Sequence, residues 1–277
     1  MRIIHQTSPT EVVQLNTEGL RERFLMHDLM QAGKVNLVYS HYDRAIIGGV
    51  LPVGPAPLGL PVPDELKAAY FLERREIGII NVGGNGMVTA DGEVYRLQKL
   101  ECLYLGLGTR EVSFSAEDPG EPPCFFLMSV PAHHAYPCRM MTKDEAAPVK
   151  LGDQSTSNKR TIYKYIHEDG IQSCQLVMGL TVLESGSVWN SVPPHTHTRR
   201  MEAYFYFDVD PAHRVMHFMG EPRETRHIVV ADREAVVSPP WSMHFGVGTS
   251  GYGFIWAMAG ENKAFTDMDV ASIAGLR

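Results

Sequence analysis

Residues 193–207 read P-P-H-T-H-T-R-R-M-E-A-Y-F-Y-F, and they combine a pair of histidines with an acid and a strand-like run. His195 and His197 are two residues apart, so in a strand both rings point to the same face and can reach one metal ion. Glu202 follows His197 by five residues, which is an odd offset. A turn or bulge through 198–201 is therefore needed to return this carboxylate to the face of the histidines.

A third histidine completes a plausible ligand set about forty residues later. His244 ends the run S-P-P-W-S-M-H, in which the prolines interrupt a strand and place the histidine just past the corner. Three neutral imidazoles and one carboxylate suit a divalent first-row metal. The alternative is a pair of surface histidines in a polar loop. The acid at this spacing, the strand behind it and the third histidine favour a metal site formed by His195, His197, Glu202 and His244.

The bulk properties are those of an ordinary globular protein with room for two domains. The chain has 277 residues, 44% of them hydrophobic and 21% charged. Its net charge of −7 argues against nucleic acid or an anionic membrane as the main partner. The four cysteines show no C-x-x-C spacing, and no apolar stretch is long enough for a signal peptide or a membrane span. These features predict a cytoplasmic protein with reduced cysteines.

The order of the predicted elements indicates an all-β fold. Near the N-terminus, residues 8–32 contain the only helical pattern, beginning with Ser8 as a cap, Pro9 at the first helical position and Glu11 three residues after the cap, and helical patterns are scarce in the second half. From Val35 onward, short β-rich runs alternate with turn residues, which is typical of barrels or sandwiches. The sequence therefore predicts antiparallel β-barrels or jelly rolls with a few short helices.

The two halves of the chain resemble each other weakly. Residues 83–108 and 219–244 both read as strand, turn, strand, connection, strand and corner, but only the second half carries an H-x-H motif. The polar segment 142–158 is the most plausible linker. We therefore expect an N-terminal domain at 1–150 without metal ligands and a C-terminal domain at 151–277 with the metal site.

Other sequence motifs have simpler explanations or remain candidates for substrate binding. The run Gly83–Gly86 is followed by strands instead of a helix, so it predicts a turn and not a phosphate loop. No G-x-S-x-G elbow or reactive-cysteine signature supports covalent catalysis. An arginine can hold a carboxylate with two parallel hydrogen bonds. If the substrate is an acid, the candidates to bind it are Lys159, Arg160, Arg199 and Arg226, with Trp241 as a further pocket residue.

Several segments resemble one particular enzyme family in addition to the general H-x-H…E…H motif of cupin barrels. They include S-N-K-R-T-I (157–162), C-Q-L-V-M-G-L-T (174–181), V-S-P-P-W-S-M-H-F-G-V-G-T (237–249) and Y-F-L-E-R-R-E-I-G-I-I-N-V-G-G (70–84). Together with residues 193–207, these segments resemble the 4-deoxy-L-threo-5-hexosulose-uronate ketol-isomerase family of pectin breakdown. The resemblance covers nearly the whole chain, and no ligand position departs from it.

The resemblance implies a fold, a cofactor and a reaction. It implies two cupin barrels, one Zn²⁺ per subunit bound by His195, His197, Glu202 and His244, and a homo-oligomer, typically a hexamer. The implied reaction converts the small acid 5-dehydro-4-deoxy-D-glucuronate to 3-deoxy-D-glycero-2,5-hexodiulosonate. The metal would stabilise an enediolate while a base carries a proton between two carbons. Glu202, His227 and Tyr204 are the side-chain candidates for that base, and a metal-bound hydroxide is another.

Three alternatives remain open from the sequence alone. One is the related 5-deoxy-glucuronate isomerase of inositol catabolism, which shares the barrel and the reaction type. Another is a metal-dependent cupin oxygenase, because the same ligands can hold iron. The third is a non-catalytic binding barrel with a structural metal, since four protein ligands also occur in closed zinc sites.

Overall fold

A computed structural model describes all 277 residues, and it consists mainly of antiparallel strands. Its two α-helices lie near the N-terminus, α1 at Pro9–Val12 and α2 at Thr17–Phe24. None of the helices has the length and apolar character needed to cross a bilayer.

Twenty-three strands make up the rest of the regular structure. Those before residue 142 are β1 (Arg2–Ile4), β2 (Leu25–Met26), β3 (Val35–Ser40), β4 (Ile46–Val50), β5 (Leu58–Gly59), β6 (Arg75–Asn81), β7 (Gly86–Ala90), β8 (Glu93–Leu97), β9 (Cys102–Leu105), β10 (Val112–Ala116), β11 (Phe125–Pro131) and β12 (Arg139–Met141). The later ones are β13 (Val149–Leu151), β14 (Arg160–Ile166), β15 (Leu176–Leu183), β16 (Trp189–Thr196), β17 (Arg200–Phe207), β18 (Val215–Glu221), β19 (Glu224–Val230), β20 (Ala235–Ser238), β21 (His244–Gly248), β22 (Gly253–Gly260) and β23 (Asp269–Val270).

The strands form two barrels that share one topology. The first pairs a seven-stranded sheet, β1-β3-β4-β11-β6-β9-β12, with a four-stranded sheet, β5-β10-β7-β8. The second pairs a seven-stranded sheet, β13-β14-β15-β22-β17-β20-β2, with a five-stranded sheet, β19-β18-β21-β16-β23. The run β3-β4-β11-β6-β9 corresponds in order to β14-β15-β22-β17-β20. The predicted all-β fold of two cupin-like barrels is confirmed, and segments 83–108 and 219–244 occupy equivalent places in the two barrels.

Three hydrophobic cores hold this arrangement together. One fills each barrel, and the largest lies between the two seven-stranded sheets, which pack against each other. Phe126 of the first sheet stacks on Phe205 of the second, with ring centroids 5.0 Å apart. Both rings are fully buried, and burying such a side chain contributes about 1.5–3 kcal/mol. The contact between the barrels is therefore a core in its own right.

The two helices and β2 pack on the second barrel, although β1 before them belongs to the first. Ser8 and Glu11 form the predicted capping box of α1. The helical region, however, ends at Phe24 and not near residue 32, because Leu25 and Met26 join the edge of the second barrel and pair with β20. No sequence signal indicated this exchange. Strand β13, which spans residue 150, also belongs to the second barrel's sheet.

Strand β16, which carries His195, departs from simple alternation. Its register with β21 shifts between Asn190 and His195, where Pro193 and Pro194 cannot donate to a ladder. The pairing resumes at His195, which lies directly opposite His244. This irregular strand therefore brings the first histidine to the corner occupied by the third.

Candidate metal centre

Four side chains from neighbouring strands of the second barrel converge on one point. The Nε2 atoms of His197 and His244 lie 3.0 Å and 2.7 Å from Oε2 of Glu202. The Nε2 atoms of His244 and His195 are 3.2 Å apart. The ligand atoms of all four residues lie within 4.8 Å of one another, as the predicted metal site requires. The first barrel contributes no residue to this group.

The turn between His197 and Glu202 explains the odd spacing in the sequence. Thr198 and Arg199 form a turn, and the backbone N–H of Arg200 donates to the carbonyl of His197 at 3.0 Å. Strand β17 then begins at Arg200, so Glu202 projects inward beside the histidines. The predicted turn through 198–201 is therefore confirmed.

Backbone carbonyls set the orientation of two imidazoles. Nδ1 of His197 lies 3.1 Å from the carbonyl of Arg200, and Nδ1 of His244 lies 3.3 Å from that of Ser242. A carbonyl only accepts, so each Nδ1 donates and each Nε2 keeps its lone pair for a metal. The lone pairs of His197 Nε2 and His244 Nε2 then both face an acceptor oxygen of Glu202, and a cation at their centre resolves this conflict. The donor set, three imidazole nitrogens and a carboxylate, fits a divalent ion.

Burial sets the charges of the group. His197, Glu202 and His244 are buried, whereas His195 is partly exposed. Desolvation, followed by the neighbouring His244, lowers the pKa of His195 to about 3, so this ring is neutral at pH 7. Burial alone would raise the pKa of Glu202, but His244 and His197 outweigh it and hold that pKa below its ordinary value. The site therefore offers an ionised carboxylate and a neutral imidazole ready to bind a metal.

A cavity of about 200 Å³ opens onto the cluster beside His195 and Glu202. Arg160 and Tyr204, both named from the sequence, line it. One NH group of Arg160 donates to the carbonyl of Asn158 at 2.8 Å, and no acidic side chain pairs with this guanidinium. The hydroxyl groups of Tyr204 and Ser191 are 2.8 Å apart. Burial, and then the charge of Glu202, raises the pKa of Tyr204 well above its ordinary value, so its hydroxyl stays protonated.

The other three basic candidates lie outside the cavity. Each forms an ion pair with an acidic partner: Lys159 with Glu184 at 3.2 Å, Arg199 with Asp267 at 2.7 Å, and Arg226 with Glu224 at 2.7 Å. The structure therefore does not bring Lys159, Arg199 or Arg226 together with the cluster.

His227 and Trp241 are also placed away from the cavity. His227 is exposed on β19, opposite Phe218, while its neighbour Ile228 points into the barrel. The indole N–H of Trp241 donates to the carbonyl of Thr7 at 3.2 Å, so this ring packs against the N-terminal segment. Neither side chain lines the cavity beside the metal ligands.

Sequence reasoning missed two buried basic side chains close to the cluster. Arg200 is fully buried, and its guanidinium donates to three backbone carbonyls between residues 262 and 267. His217 is fully buried too, with Nδ1 2.8 Å from the hydroxyl of Tyr206. Burial lowers the pKa of His217 to about 3. The alternation Val215, His217, Met219 along β18 was the signal that could have placed His217 inside the barrel.

Comparison with characterised proteins gives a consistent assignment. The model of the KduI/IolB family matches residues 25–273. A 4-deoxy-L-threo-5-hexosulose-uronate ketol-isomerase of Halalkalibacterium halodurans is 54% identical over 273 residues, which is 99% of each chain. An enzyme of the same name from Dickeya dadantii is 51% identical over 265 residues, 95% of each chain.

Solved structures with low sequence identity support the fold. A crystal structure of an IolB-like protein from Salmonella typhimurium superposes with a TM-score of 0.69 at 17% identity, covering 90% of this chain and 96% of that one. Oxalate decarboxylase of Bacillus subtilis, in a mutant form, gives a TM-score of 0.50 at 10% identity over 69% of this chain and 65% of that one. Taken with the full-length relatives at about half identity, these matches show that the chain belongs to the KduI/IolB family.

Proposed function

We propose that this chain is a 4-deoxy-L-threo-5-hexosulose-uronate ketol-isomerase with one Zn²⁺ per subunit. One observation carries the proposal: a buried group of three histidines and a glutamate opens onto a cavity that also holds a guanidinium without an acidic partner. Such a cavity suits an aldose whose far end is a carboxylate. The names of the full-length relatives support the same substrate. We further propose that the enzyme serves pectin breakdown in the cytoplasm as a homo-oligomer, in the form of a hexamer.

The proposed reaction is an aldose–ketose isomerisation within one molecule. The proton on C2 leaves and is delivered to C1, while the hydroxyl proton on O2 moves to O1, so the aldehyde becomes an alcohol and C2 becomes a ketone. No oxidant, reductant or water is consumed. A bound divalent ion would act as a Lewis acid toward the carbonyl and adjacent hydroxyl oxygens.

We assign the proton transfer between the two carbons to Glu202. Its Oε2 atom faces His197 and His244, whereas Oε1 has no hydrogen-bond partner among the protein's side chains. Because its pKa lies below its ordinary value, the carboxylate is ionised at neutral pH, and the position of Oε1 makes this oxygen the one that takes up the proton leaving C2. The single carboxylate can take the proton from C2 and return it to C1 on the same face of the substrate.

Two further residues of the cavity have distinct roles in this proposal. The hydroxyl of Tyr204 stays protonated, so it serves as a hydrogen-bond donor to a substrate oxygen and not as the base. The guanidinium of Arg160 binds the substrate carboxylate, for which its planar array of donors is suited. Phe254, Trp256 and Met258 of β22 supply part of the apolar lining of the cavity.

The decisive experiment follows the isomerisation of 5-keto-4-deoxyuronate by NMR, with protein that has been stripped by a chelator and then reloaded with zinc. We expect turnover only after reloading, at equal rates in air and under argon. Turnover that requires dioxygen would instead support an oxygenase. Full turnover by metal-free protein would refute the metal-dependent mechanism. Comparing 5-deoxy-glucuronate in the same assay tests the substrate assignment, because we expect it to be the poorer substrate.

A further inference from the structure

One side of the cavity is closed by the segment 261–270, which we call the C-terminal strap. It follows β22 and ends in β23, which pairs with β16 so that Val270 lies opposite His195. Phe265, Met268 and Val270 of the strap line the cavity. The strap is thus a wall of the pocket that also borders a metal ligand.

Two adjacent arginines hold the strap in place. Arg199 forms ion pairs with Asp267 at 2.7 Å and Asp269 at 2.9 Å. Arg200 donates to the carbonyls of Asn262, Ala264 and Asp267 at 3.3, 2.8 and 2.9 Å. Arg200 is the first residue of β17 and Arg199 directly precedes it, so the two arginines lie two and three residues before Glu202. The position of the wall is therefore fixed relative to the cluster by the strand that carries Glu202.

The wall that the strap helps to form is apolar. The ring of Phe265 packs on Trp256, with centroids 5.2 Å apart, and the ammonium of Lys164 lies over Phe265 at 5.3 Å. The indole N–H of Trp256 donates to the hydroxyl of Thr181 at 3.2 Å, so it is not available to a ligand. In this part of the wall, the surface that faces the cavity therefore consists of the aromatic carbon atoms of Phe265 and Trp256.

We infer that the strap, through Phe265, makes the enzyme select acids that lack a hydroxyl at C4. The inference rests on the proposed function. With C1 and C2 of the substrate at the cluster and its carboxylate at Arg160, the intermediate carbons lie along the apolar wall. The relatives' substrate name specifies 4-deoxy, which leaves a methylene at C4. A hydroxyl that faces Phe265 would lose its hydration without gaining a partner from this wall, and an apolar pocket discriminates against an added hydroxyl by about 10–100-fold.

The test uses two ligands that differ only at this carbon, D-glucuronate and 4-deoxy-D-glucuronate. Their dissociation constants are measured by calorimetry on the zinc-loaded protein, in the wild type and in Phe265→Asn and Phe265→Leu. Asparagine and leucine have nearly the same shape, so the pair isolates polarity from lost volume. We expect the wild type to bind the deoxy acid about 10–100-fold more tightly. This preference should persist in F265L and fall at least about fivefold in F265N, because the new amide can pair with the hydroxyl.

Each result has a definite consequence. Equal affinities in the wild type, or an unchanged preference in zinc-loaded F265N, would overturn the inference. If F265N fails to fold or to retain zinc, Met268→Gln at the partly exposed edge of the strap takes its place, and we expect the same reduction in preference. Turnover of 5-keto-4-deoxyuronate by the wild type is measured separately. Its absence would refute the proposed function, whereas the binding preference would still report on the wall.

Discussion

At the scale of single residues, the cluster depends on imidazoles that contact a backbone carbonyl through one ring nitrogen and the other ligands through the second. His244 is fixed by the carbonyl of Ser242 at Nδ1 and presents Nε2 to the carboxylate of Glu202. Its exposed fraction is 1%, so no water replaces it without a rearrangement of the barrel wall. Removing the His244 ring therefore leaves only three of the four metal ligands and an empty space at the position of the fourth.

We therefore expect His244→Ala to lose both bound zinc and turnover. The variant lacks one metal ligand, and it also lacks the imidazole that contacts the carboxylate of Glu202. Metal content measured by elemental analysis and turnover measured on the same sample check this expectation. His227→Ala is the matched control, because that histidine is exposed on β19, and it should retain both. Full activity in zinc-free H244A would contradict the assigned metal centre.

Arg160 should matter for substrate binding more than for the chemical step. Arg160→Gln removes one of the two guanidinium groups that line the cavity, and hydrogen bonds to charged groups contribute about 1.5–3 kcal/mol. We expect KM to rise about 10–100-fold with a smaller change in kcat and with zinc retained. Steady-state kinetics test this, with Lys159→Gln as the control, since Lys159 pairs with Glu184 outside the cavity. Similar KM values in the two variants would show that Arg160 does not bind the substrate carboxylate.

The metal ligands could be predicted from the sequence because their spacing carries the information. An H-x-H pair on one strand needs only the strand's period of two. Substrate contacts depend instead on which face a strand turns inward and on ion pairs across the fold. His227 has the opposite parity to the buried Ile228 and faces outward, and Arg199 is paired with Asp267 from near the C-terminus. The inward face of β19 and the ion pair between Arg199 and Asp267 cannot be recognised from the residues next to His227 or Arg199 in the sequence.

At the scale of elements, α2 shows how a short helix is stabilised by its end and by one face. The side chain of Asn16 accepts from the backbone N–H of Gly19 at 2.9 Å, and Leu20 and Phe24 are buried against the second barrel. Asn16→Ala should cost about 1 kcal/mol of stability, which lowers the melting temperature by roughly 2–4 °C for a chain of this size. Asn16→Ser, which keeps a capping oxygen, should lose less. Equal losses in thermal melts would contradict the capping role.

Elements whose pattern is local could be predicted, and those set by distant partners could not. The β-rich pattern is predicted to begin at Val35, and β3 begins at that residue. Strand β11 has no such local signal, because its run of apolar residues contacts cores on both faces and so lacks alternation. Strand β2 was read as helix because its pairing partner, β20, lies about 210 residues away.

At the scale of the whole molecule, the first barrel supports the site without supplying ligands. The carboxylate of Asp43 accepts from the backbone N–H of Met201, which precedes Glu202. A second carboxylate, Glu76 of β6, is fully buried between the barrels. It accepts from the hydroxyl of Tyr104 at 2.8 Å and from three successive backbone N–H groups of the second barrel, those of residues 174–176, at 2.7–3.1 Å. The two barrels are thus joined by a charged acceptor as well as by their shared core.

Glu76→Gln should weaken this junction strongly although it removes no volume. A carboxylate offers two acceptor oxygens, whereas the amide places an NH₂ donor opposite buried donors on one side. Each unsatisfied buried donor costs about 1–3 kcal/mol, so we expect a loss of roughly 2–5 kcal/mol in the free energy of unfolding. Chemical denaturation measures it, with Glu168→Gln as an exposed control of the same chemistry. A loss in E76Q no larger than in this control would show that the shared core alone joins the barrels, because the four hydrogen bonds would then have no net effect.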